Sequence, residues 1–179
     1  MLLKDKVAII TGAASPRGIG YATAKTFARE GALVALLDLD AKAVHEAAAA
    51  LGNGHKGFTC DVRHAQRCAQ VVQEVIAQFG RVDILVNNAG VSQAKRLMDS
   101  TEDDYNLVMD VSLRGCYNMS RAVVPHLRSR RSGNIVCMGS VAAQRGGGVL
   151  GGPHYAAAKG GVQTMAKAWR ASSLPTASA

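Results

Sequence analysis

The chain of 179 residues is long enough for one domain with a sizeable hydrophobic core. It contains no apolar run long enough to span a membrane, and its first residues lead into a strand-like segment instead of a cleavable signal. Its formal net charge of +8 raises a nucleic-acid hypothesis, but with 4% aromatic residues there is no pattern of base-stacking side chains, and we expect no nucleic-acid partner.

The cysteines indicate a reducing compartment. Cys60, Cys68, Cys116 and Cys137 are scattered along the chain without C-x-x-C spacing, so reduced thiols in a cytoplasmic protein are the simplest interpretation. His64 and Cys68 have the spacing of one helix face, but no second pair of ligands accompanies them. We therefore predict no metal site.

Buried strands and amphipathic helices alternate along the sequence. Continuous apolar runs ended by polar or glycine residues are typical of strands covered on both faces, and they predict strands over residues 6–11, 32–37, 57–60, 82–86 and 134–138. Helical periodicity predicts helices over residues 19–30, 41–51, 63–79 and 103–130, the last capped by Ser100 or Thr101, and a further helix with Pro153 in its first turn. This order predicts an α/β fold with a doubly wound parallel sheet and helices on both faces.

The first connection has the composition of a dinucleotide-binding loop. The segment T-G-A-A-S-P-R-G-I-G, from Thr11 to Gly20, follows a predicted strand and opens a predicted helix. Glycines there let the backbone approach a pyrophosphate, whose charge is favoured at a helix N-terminus. Asp38 ends the second predicted strand, where its carboxylate can accept hydrogen bonds from the adenosine ribose. A glycine loop alone is often only a tight turn, so the prediction of cofactor binding depends on the combination with Asp38.

Two charged residues bear on the choice between NAD and NADP. The carboxylate of Asp38 repels a 2′-phosphate, which favours NAD. Arg17, in the glycine loop, is a cation that can hold the same phosphate. We predict NAD because of the carboxylate's proximity to the ribose, and NADP stays open as the alternative.

A second group of polar side chains lies between residues 140 and 159. Tyr155 and Lys159 are four residues apart in Y-A-A-A-K, so on a helix they share one face. A phenol has a pKa of about 10 and serves as a base at neutral pH only if a fixed cation stabilises its phenolate. Lys159 is placed to be that cation, and Ser140 to hold a substrate oxygen while Tyr155 transfers the proton. A surface helix with an ordinary tyrosine and lysine is the alternative that this short motif leaves open.

Together these motifs resemble the short-chain dehydrogenase/reductase family, from residue 6 to about residue 168. The ordered set is specific although each piece is short. It comprises T-G-x5-G-I-G at 11–20, Asp38, C-D-V at 60–62, N-N-A-G at 87–90, G-S at 139–140 and Y-A-A-A-K at 155–159. The resemblance implies a Rossmann-type sheet and reversible hydride transfer between NAD(P) and an alcohol or ketone.

The resemblance also implies roles for individual residues. Tyr155 is implied as the general acid/base, Lys159 as the residue that activates it and binds the nicotinamide ribose, and Ser140 as the group that polarises the substrate oxygen. The proton-relay position, usually an asparagine, is Ser112 here. The implied cofactor contacts are Gly12, Ser15, Arg17, Gly18, Ile19, Gly20, Asp38, Asp61, Val62, Asn88, Ala89, Gly90, Tyr155 and Lys159. By the same resemblance the full-length parent is a homo-oligomer, either a dimer or a tetramer.

Two loops depart from the family's pattern. The glycine loop is longer than usual between Gly12 and Gly18, so residues 15–17 are expected to bulge. The interval between Ser140 and Tyr155 is also longer than usual, which predicts a flexible loop over residues 145–152 beside the substrate. Gln144 and His154 border this loop, and His154 is interpreted as an incidental loop residue.

The last residues, 169–179, interrupt the resemblance. They read W-R-A-S-S-L-P-T-A-S-A, lose the helical period and include Pro175. A single-base deletion in a family-like continuation can generate all of them followed by a stop. We interpret 169–179 as a frameshift product and 1–168 as an incomplete NAD(P)-binding Rossmann domain that lacks the last strands. With residues 134–138 left as an apolar edge strand, such a chain is expected to be poorly soluble and weakly active.

Two functions therefore compete. One is an NAD(P)-dependent oxidoreductase acting on a small alcohol or ketone. The other is a truncated dinucleotide-binding protein without turnover, which Ser112 and the missing strands favour.

Overall fold

Five parallel strands form one sheet in the order β3-β2-β1-β4-β5. They are β1 (Val7–Thr11), β2 (Leu33–Asp38), β3 (Lys56–Thr59), β4 (Ile84–Asn87) and β5 (Asn134–Cys137). The structure is a computed structural model and describes residues 1–147 and 151–173, with side chains through residue 169. The chain runs outward from β1 to β3 and then returns to the other side of β1, so the strand order reverses between β1 and β4. All five predicted strands are confirmed.

Helices lie on both faces of the sheet, as predicted. They are α1 (Ile19–Arg29), α2 (Ala41–Ala50), α3 (Ala65–Phe79), α4 (Glu102–Met109), α5 (Gly115–Arg130), α6 (Ala142–Arg145) and α7 (Pro153–Ser173). Helices α1 and α2 bury apolar side chains against one face, and α3 and α5 against the other. In the described part of the chain, no helix is long and apolar enough to cross a membrane.

The alternation of side chains along β1 explains why its sequence is apolar throughout. Val7 and Ile9 pack in the core on the α3 and α5 side, whereas Ala8 and Ile10 pack on the α1 and α2 side. Successive residues of a strand point to opposite faces, and all four are 2% exposed or less. A strand covered on both faces therefore has no position for a polar residue until Thr11, at its carboxyl end.

The long helix predicted over residues 103–130 is interrupted. It begins at α4 with Thr101 as its cap, one of the two residues expected to fill that role, in a capping box with Asp104. The interruption is a π-helix, Asp110–Arg114, that lies between α4 and α5. A Cβ on Gly115 would lie 2.5 Å from Val62 Cγ2, so α5 approaches the loop after β3 closely. A π-helix adds a residue to a turn without changing the apolar pattern much, which is why periodicity did not detect it.

Two short helices and one helix end also correct the sequence prediction. A 3₁₀-helix (Leu97–Asp99) and α6 were not predicted, and α6 takes up Arg145, which was assigned to a flexible loop. The sequence predicted that the helix ends near residue 168, and this is wrong for the described residues, because α7 continues to Ser173. The predicted break at Pro175 and the rest of the tail lie outside the described residues, as do residues 148–150 of the predicted loop.

Strand β5 is the outermost strand in the described part of the sheet and pairs with β4 alone. Its side chains alternate between exposed and half-buried, and Val136 is 45% exposed. An apolar edge strand of this kind offers unpaired backbone groups to another chain. The poor solubility expected from the sequence stays a prediction.

A buried carboxylate ties β1 to β4 at the amino ends of the strands. Asp83 is 2% exposed; its Oδ2 accepts from the backbone N–H of Val7 at 2.9 Å, and its Oδ1 receives Arg81 and, at 3.6 Å, Arg130. Burial opposes ionisation, but the hydrogen bonds from Arg81 and Val7 outweigh it, so the pKa of Asp83 lies below its ordinary value. The ionised carboxylate is therefore part of the folded structure.

We expect Asp83→Asn to lower the free energy of unfolding by about 2 kcal/mol at pH 7, since it removes a buried carboxylate that pairs with the half-buried guanidinium groups of Arg81 and Arg130. Because the folded-state pKa is lowered, the carboxylate's contribution is complete above the unfolded value of about 3.9 and is lost as pH falls through the folded value. Urea unfolding at several pH values should therefore show a smaller acid-dependent loss in the variant. Asp103→Asn, an exposed change in the first turn of α4, is the control and should alter stability by less than about 1 kcal/mol. An unchanged acid dependence in Asp83→Asn would contradict this account.

Candidate active site

The glycine loop leaves β1 at the edge where the strand order reverses. Gly12 has φ +64°, which favours glycine, and residues 15–18 form a turn in which the Gly18 N–H donates to the Ser15 carbonyl at 2.9 Å. This turn accommodates the extra residues, so the expected bulge is confirmed. Ser15, Arg17 and Ile19 are exposed beside the loop.

The loop is held by the segment that follows β4. Asn88 Nδ2 donates to the carbonyl oxygens of Thr11 and Gly12, both at 2.9 Å. The backbone N–H groups of Asn88 and Ala89 donate in turn to Thr11 Oγ1 at 3.0 Å. Sequence reasoning gave Thr11 no role, although a hydroxyl ending a wholly apolar strand was a signal for one.

Asp38 closes the outer end of the loop. Its Oδ2 accepts from the Ala14 N–H at 2.9 Å, and its Oδ1 accepts from the Leu39 N–H at 2.8 Å. The carboxylate is therefore oriented by backbone groups on both sides. It is only half-buried, so it remains accessible from the adjoining cleft.

A cleft of about 370 Å³ lies along the carboxyl ends of β1, β2, β3 and β4. Seven of the predicted cofactor contacts line it: Gly12, Asp38, Asp61, Val62, Asn88, Ala89 and Gly90. The other predicted contacts do not line it: Ser15, Arg17, Gly18, Ile19 and Gly20 belong to the loop and to the start of α1, and Tyr155 and Lys159 belong to α7. The cleft thus corresponds to one part of the predicted site.

The wall of the cleft after β3 is fixed from two sides. Asp61 is ion-paired with Arg63, whose hydrogen bonds hold the pKa of Asp61 below its ordinary value. From the other side, Asn118 on α5 donates to the carbonyl oxygens of Val62 and Arg63 at 2.9 and 3.1 Å. Asn118 was missed from the sequence, where it is one polar residue in a long helix.

One face of α7 carries the proposed catalytic side chains. Tyr155, Lys159 and Gln163 are each four residues apart and share this face. Lys159 Nζ donates to the Met138 carbonyl at 2.7 Å, and Gln163 Nε2 donates to the Ser140 carbonyl at 3.1 Å. This face therefore contacts the backbone immediately after β5, where Ser140 lies. Gln163 was not predicted, although it continues the same spacing.

Lys159 and Ser112 meet at the mouth of the cleft. A Cβ added to Gly90 would lie 3.4 Å from Lys159 Nζ and 3.5 Å from Ser112 Oγ, so both polar atoms lie over this glycine. Ser112 is 1% exposed, and its hydroxyl accepts from the Val91 N–H at 3.3 Å. Lys159 is 5% exposed, and burial lowers its pKa, an effect that Cys116 and Cys137 oppose.

Two other predicted residues have partners within their own segments. Ser140 Oγ accepts from the Ala142 N–H at 3.1 Å, at the entry to α6. The half-buried ring of Tyr155 packs on Gly151, where an added Cβ would lie 2.4 Å from Cδ1 of the ring. Only a glycine at 151 leaves the ring in this position.

His154 is not an incidental loop residue, as the sequence interpretation had it. It lies in the first turn of α7, is 5% exposed, and its Nδ1 is 3.5 Å from Ser100 Oγ. The error arose because a histidine next to a glycine-rich segment gives no periodic signal of burial. Among the described residues, no group of three or more His, Cys, Asp or Glu side chains could hold a metal ion.

The residues present fit a dinucleotide. Gly18 is the N-cap of α1 and supplies no side-chain cap, and the first turn has no acidic residue, so the terminal N–H groups are free for a pyrophosphate. Gly20 lies against the loop so closely that a Cβ would be 2.4 Å from the Gly12 carbonyl oxygen. Asp38 lines the adjoining cleft, where a ribose would follow.

We expect Gly20→Ala to lower the free energy of unfolding by about 1–3 kcal/mol, because its Cβ meets the Gly12 carbonyl oxygen at 2.4 Å and Asn88 Nδ2 at 2.6 Å, and backbone cannot yield. Gly160→Ala on α7 is the matched control. Its Cβ has no neighbour nearer than 3.9 Å, so helix propensity should make it neutral or stabilising by up to about 1 kcal/mol. Urea unfolding of both variants measures this, and equal effects would mean that packing at Gly20 is not the constraint.

The chain is similar to known proteins along almost its whole length. A sequence model of the family described as short chain dehydrogenase matches residues 6–177. The chain is 47% identical over 175 residues to the short-chain type dehydrogenase/reductase y4mP of Sinorhizobium fredii, and 38% identical over 175 residues to the 3-oxoacyl-acyl-carrier-protein reductase FabG of Thermotoga maritima. Each of these alignments covers 94% of this chain and 68% of the relative.

A solved structure has the same fold. The crystal structure of a short chain dehydrogenase from Mycobacterium smegmatis superposes with a TM-score of 0.90 and 31% identity, covering 96% of this chain and 72% of that one. The match of the family model reaches into the tail, and the foreign origin of residues 169–179 stays a prediction. The chain belongs to the short-chain dehydrogenase/reductase family of NAD(P)-dependent oxidoreductases.

Proposed function

We propose that the protein interconverts an alcohol and a ketone with NAD as the hydride carrier, using Tyr155, Lys159 and Ser140 as catalytic residues. The observation that carries this proposal is the position of Lys159. Its ammonium is fixed by the Met138 carbonyl at 2.7 Å, lies over Gly90 at the mouth of the cleft, and follows Tyr155 by one helical turn. The carbonyl that accepts this hydrogen bond is neutral, so the bond holds the ammonium in place without neutralising its charge.

Proton transfer falls to the residues of α7. The Lys159 ammonium stabilises the phenolate form of Tyr155 by charge attraction, so that the Tyr155 hydroxyl can give its proton to a substrate oxygen and take it back. Ser140 holds the same oxygen by a hydrogen bond. Bound NAD(P) supplies the hydride acceptor or donor. Burial of Lys159 strengthens the effect because its charge is poorly screened by water.

Ser112 occupies the proton-relay position of the proposed site. The hydroxyl bonds to the backbone of Val91 and lies beside Gly90 together with Lys159. A serine there can hold a relay water next to the ammonium, with a shorter reach than the asparagine usual in the family. We propose that proton relay is retained through this water.

The cofactor contacts follow the geometry of the loop. We propose that the N-terminus of α1, with Gly18, Ile19 and Gly20, binds the pyrophosphate, and that Ser15 and Arg17 border it. Asp61 and Val62 border the adenine, while Asn88, Ala89 and Gly90 support the nicotinamide half. Asp38, with both carboxylate oxygens oriented by backbone N–H groups, binds the adenosine ribose and disfavours NADP.

We expect Tyr155→Phe to lower turnover by about 10²–10⁴-fold, because it removes the proton-transferring hydroxyl, and to leave NADH affinity within about threefold. Turnover is measured by NADH absorbance with a panel of alcohols and ketones, and affinity by NADH fluorescence. Tyr105→Phe, a change at a half-exposed tyrosine of α4, is the control and should retain the rate. Retained turnover in Tyr155→Phe would remove the acid/base assignment. NADH binding without any turnover in the unmodified chain would favour the alternative, a dinucleotide-binding protein without catalysis.

We expect Asp38→Asn to reduce the preference for NADH over NADPH by about tenfold or more, equivalent to about 1.4 kcal/mol, because the repulsion of a 2′-phosphate is removed. Asp40→Asn is the control: Asp40 carries the same charge two residues away but caps α2, and its change should leave the preference nearly unaltered. The dissociation constants of both cofactors are measured for each variant. A preference for NADPH in the unmodified chain that Arg17→Ala abolishes would reverse the assignment to NADP.

Four further expectations stay predictions. A homo-oligomeric full-length parent and a cytoplasmic location follow from the resemblance and from the spacing of the cysteines, all four of which are free thiols. The frameshift origin of residues 169–179 is tested by resequencing the gene, where codons incompatible with the shift would remove it. The absence of a nucleic-acid partner is tested by salt-dependent retention on DNA.

A further inference from the structure

Two thiols lie side by side at the end of β5, within reach of the charge of Lys159. Cys116, near the start of α5, and Cys137, at the end of β5, have their sulfur atoms 3.5 Å apart. Cys116 is 6% exposed, whereas Cys137 is half-buried and lines a groove of about 810 Å³ between α5 and α7, together with Ser120 and Trp169. One thiol is therefore reachable from solvent, and the second lies directly behind it.

We propose that Cys116 and Cys137 form a redox modification site, in which a hydroperoxide oxidises Cys137 and Cys116 then closes a disulfide. The proposed hydride transfer makes no use of either thiol. The oxidation chemistry of this site does not require bound cofactor. The site affects Lys159 in two ways: Met138, whose carbonyl binds the ammonium, follows Cys137 in the chain, and the ammonium attracts the Cys137 thiolate.

The surroundings make Cys137 the thiol that is attacked first. The Cys116 thiol donates a hydrogen bond to it, Asn87 Nδ2 donates at 3.8 Å, and the Lys159 ammonium attracts its negative charge; against the opposing effect of burial, these lower the pKa of Cys137 to about 7. The hydrogen bond to Cys137 and burial raise the pKa of Cys116. The thiolate is the reactive form, so the less buried of the two thiols, Cys137, is also the nucleophile.

The reaction is balanced with a hydroperoxide as the oxidant. The Cys137 thiolate attacks one peroxide oxygen, the O–O bond breaks, and the leaving alkoxide or hydroxide takes a proton, so that Cys137 becomes a sulfenic acid. Cys116 then loses its proton and attacks the Cys137 sulfur; the S–O bond breaks and water leaves. Oxidised Cys137 carries no negative charge, so the effect that opposed ionisation of Cys116 is gone. A dithiol reductant reverses the step.

Closure of the disulfide changes the position of the Met138 carbonyl, which holds the Lys159 ammonium. A disulfide is about 2.05 Å long, so the sulfurs must approach by about 1.5 Å. The residue after Cys137 is Met138, whose carbonyl receives Lys159 Nζ at 2.7 Å. Movement of the end of β5 therefore displaces the acceptor that fixes the ammonium, and oxidation also removes the thiolate that attracts it.

The other two cysteines are an internal control. Cys60 and Cys68 are also neighbours, but they are 3% and 0% exposed, and the Cys68 thiol donates to the Val62 carbonyl at 3.4 Å. Cys68 is fully buried, and Cys60 lines the cofactor cleft with only 3% of its surface exposed, so this pair is less accessible than Cys137. Trypsin places the four cysteines in four different peptides, residues 57–63, 68–81, 115–121 and 132–145. A disulfide between Cys116 and Cys137 therefore joins the last two of these peptides.

To test this, the reduced 179-residue chain is treated with hydrogen peroxide at neutral pH, alkylated and digested with trypsin. The peptides are then identified by mass spectrometry. We expect the joined peptides 115–121 and 132–145, free peptides 57–63 and 68–81, and a yield that does not fall on dilution. Oxygen added at Met138 changes the mass of peptide 132–145 but does not join it to another. As a second readout, we expect oxidation to lower the affinity for NADH by about threefold or more, and a dithiol reductant to restore it.

Variants separate the two roles. Cys116→Ser, and Cys116→Ala in case the serine is poorly tolerated, should accumulate a sulfenic acid at Cys137 that dimedone traps. Cys137→Ser should leave Cys116 unoxidised. Joined peptides that include Cys60 or Cys68 to the same extent, a concentration-dependent link between chains, or dimedone trapping at Cys116 in Cys137→Ser would each overturn the proposal. None of these outcomes depends on whether the chain turns over a substrate.

Discussion

Parallel pairing of β1 with β4 brings two distant parts of the sequence to one edge. The register aligns Ala8 with Ile84 and Ile10 with Val86, so the glycine loop and the segment after β4 leave the sheet side by side. Four hydrogen bonds from Asn88 and Ala89 to Thr11 and Gly12 then join these two segments. Because the strand order reverses here, no crossover helix covers the gap, and a crevice is the geometric result. The cofactor cleft exists because of this pairing.

The proposed catalytic face depends on the same edge one strand further out. β5 pairs with β4, and the backbone after it, at Met138 and Ser140, receives Lys159 and Gln163 from α7. These contacts fix the rotation of α7 about its axis, because residues four apart share a face. The same rotation sets the direction of Tyr155, which shares this face of α7. Hydrogen bonds to main-chain carbonyls are suited to this, since they do not neutralise the ammonium.

Much of the architecture was predictable because burial leaves a direct trace in composition. Strands covered on both faces must be apolar, and β1 and β2 could be read as such. The helix face with Tyr155 and Lys159 could be read from spacing. Contacts made by single polar residues could not: Thr11, Asn118 and Gln163 each bond to backbone that is remote in sequence, and a hydroxyl or amide carries no record of its partner. The interpretation of His154 was wrong for a similar reason: the burial of a single residue beside a glycine-rich segment produces no periodic pattern in the sequence.

The π-helix between α4 and α5 sets the phase of everything that follows it. Each residue of a helix advances the side-chain direction by about 100°, and a π turn inserts one additional residue. Because the wide turn absorbs that residue, α5 keeps the phase that directs Asn118 to Val62 and Met119 into the core. Deleting one residue from 110–114 would therefore close the turn to α-helical geometry with little rotation of α5, whereas a deletion within α5 itself would rotate the later side chains by about 100°. A change of length is thus tolerated in this segment without changing which residues of α5 face the sheet.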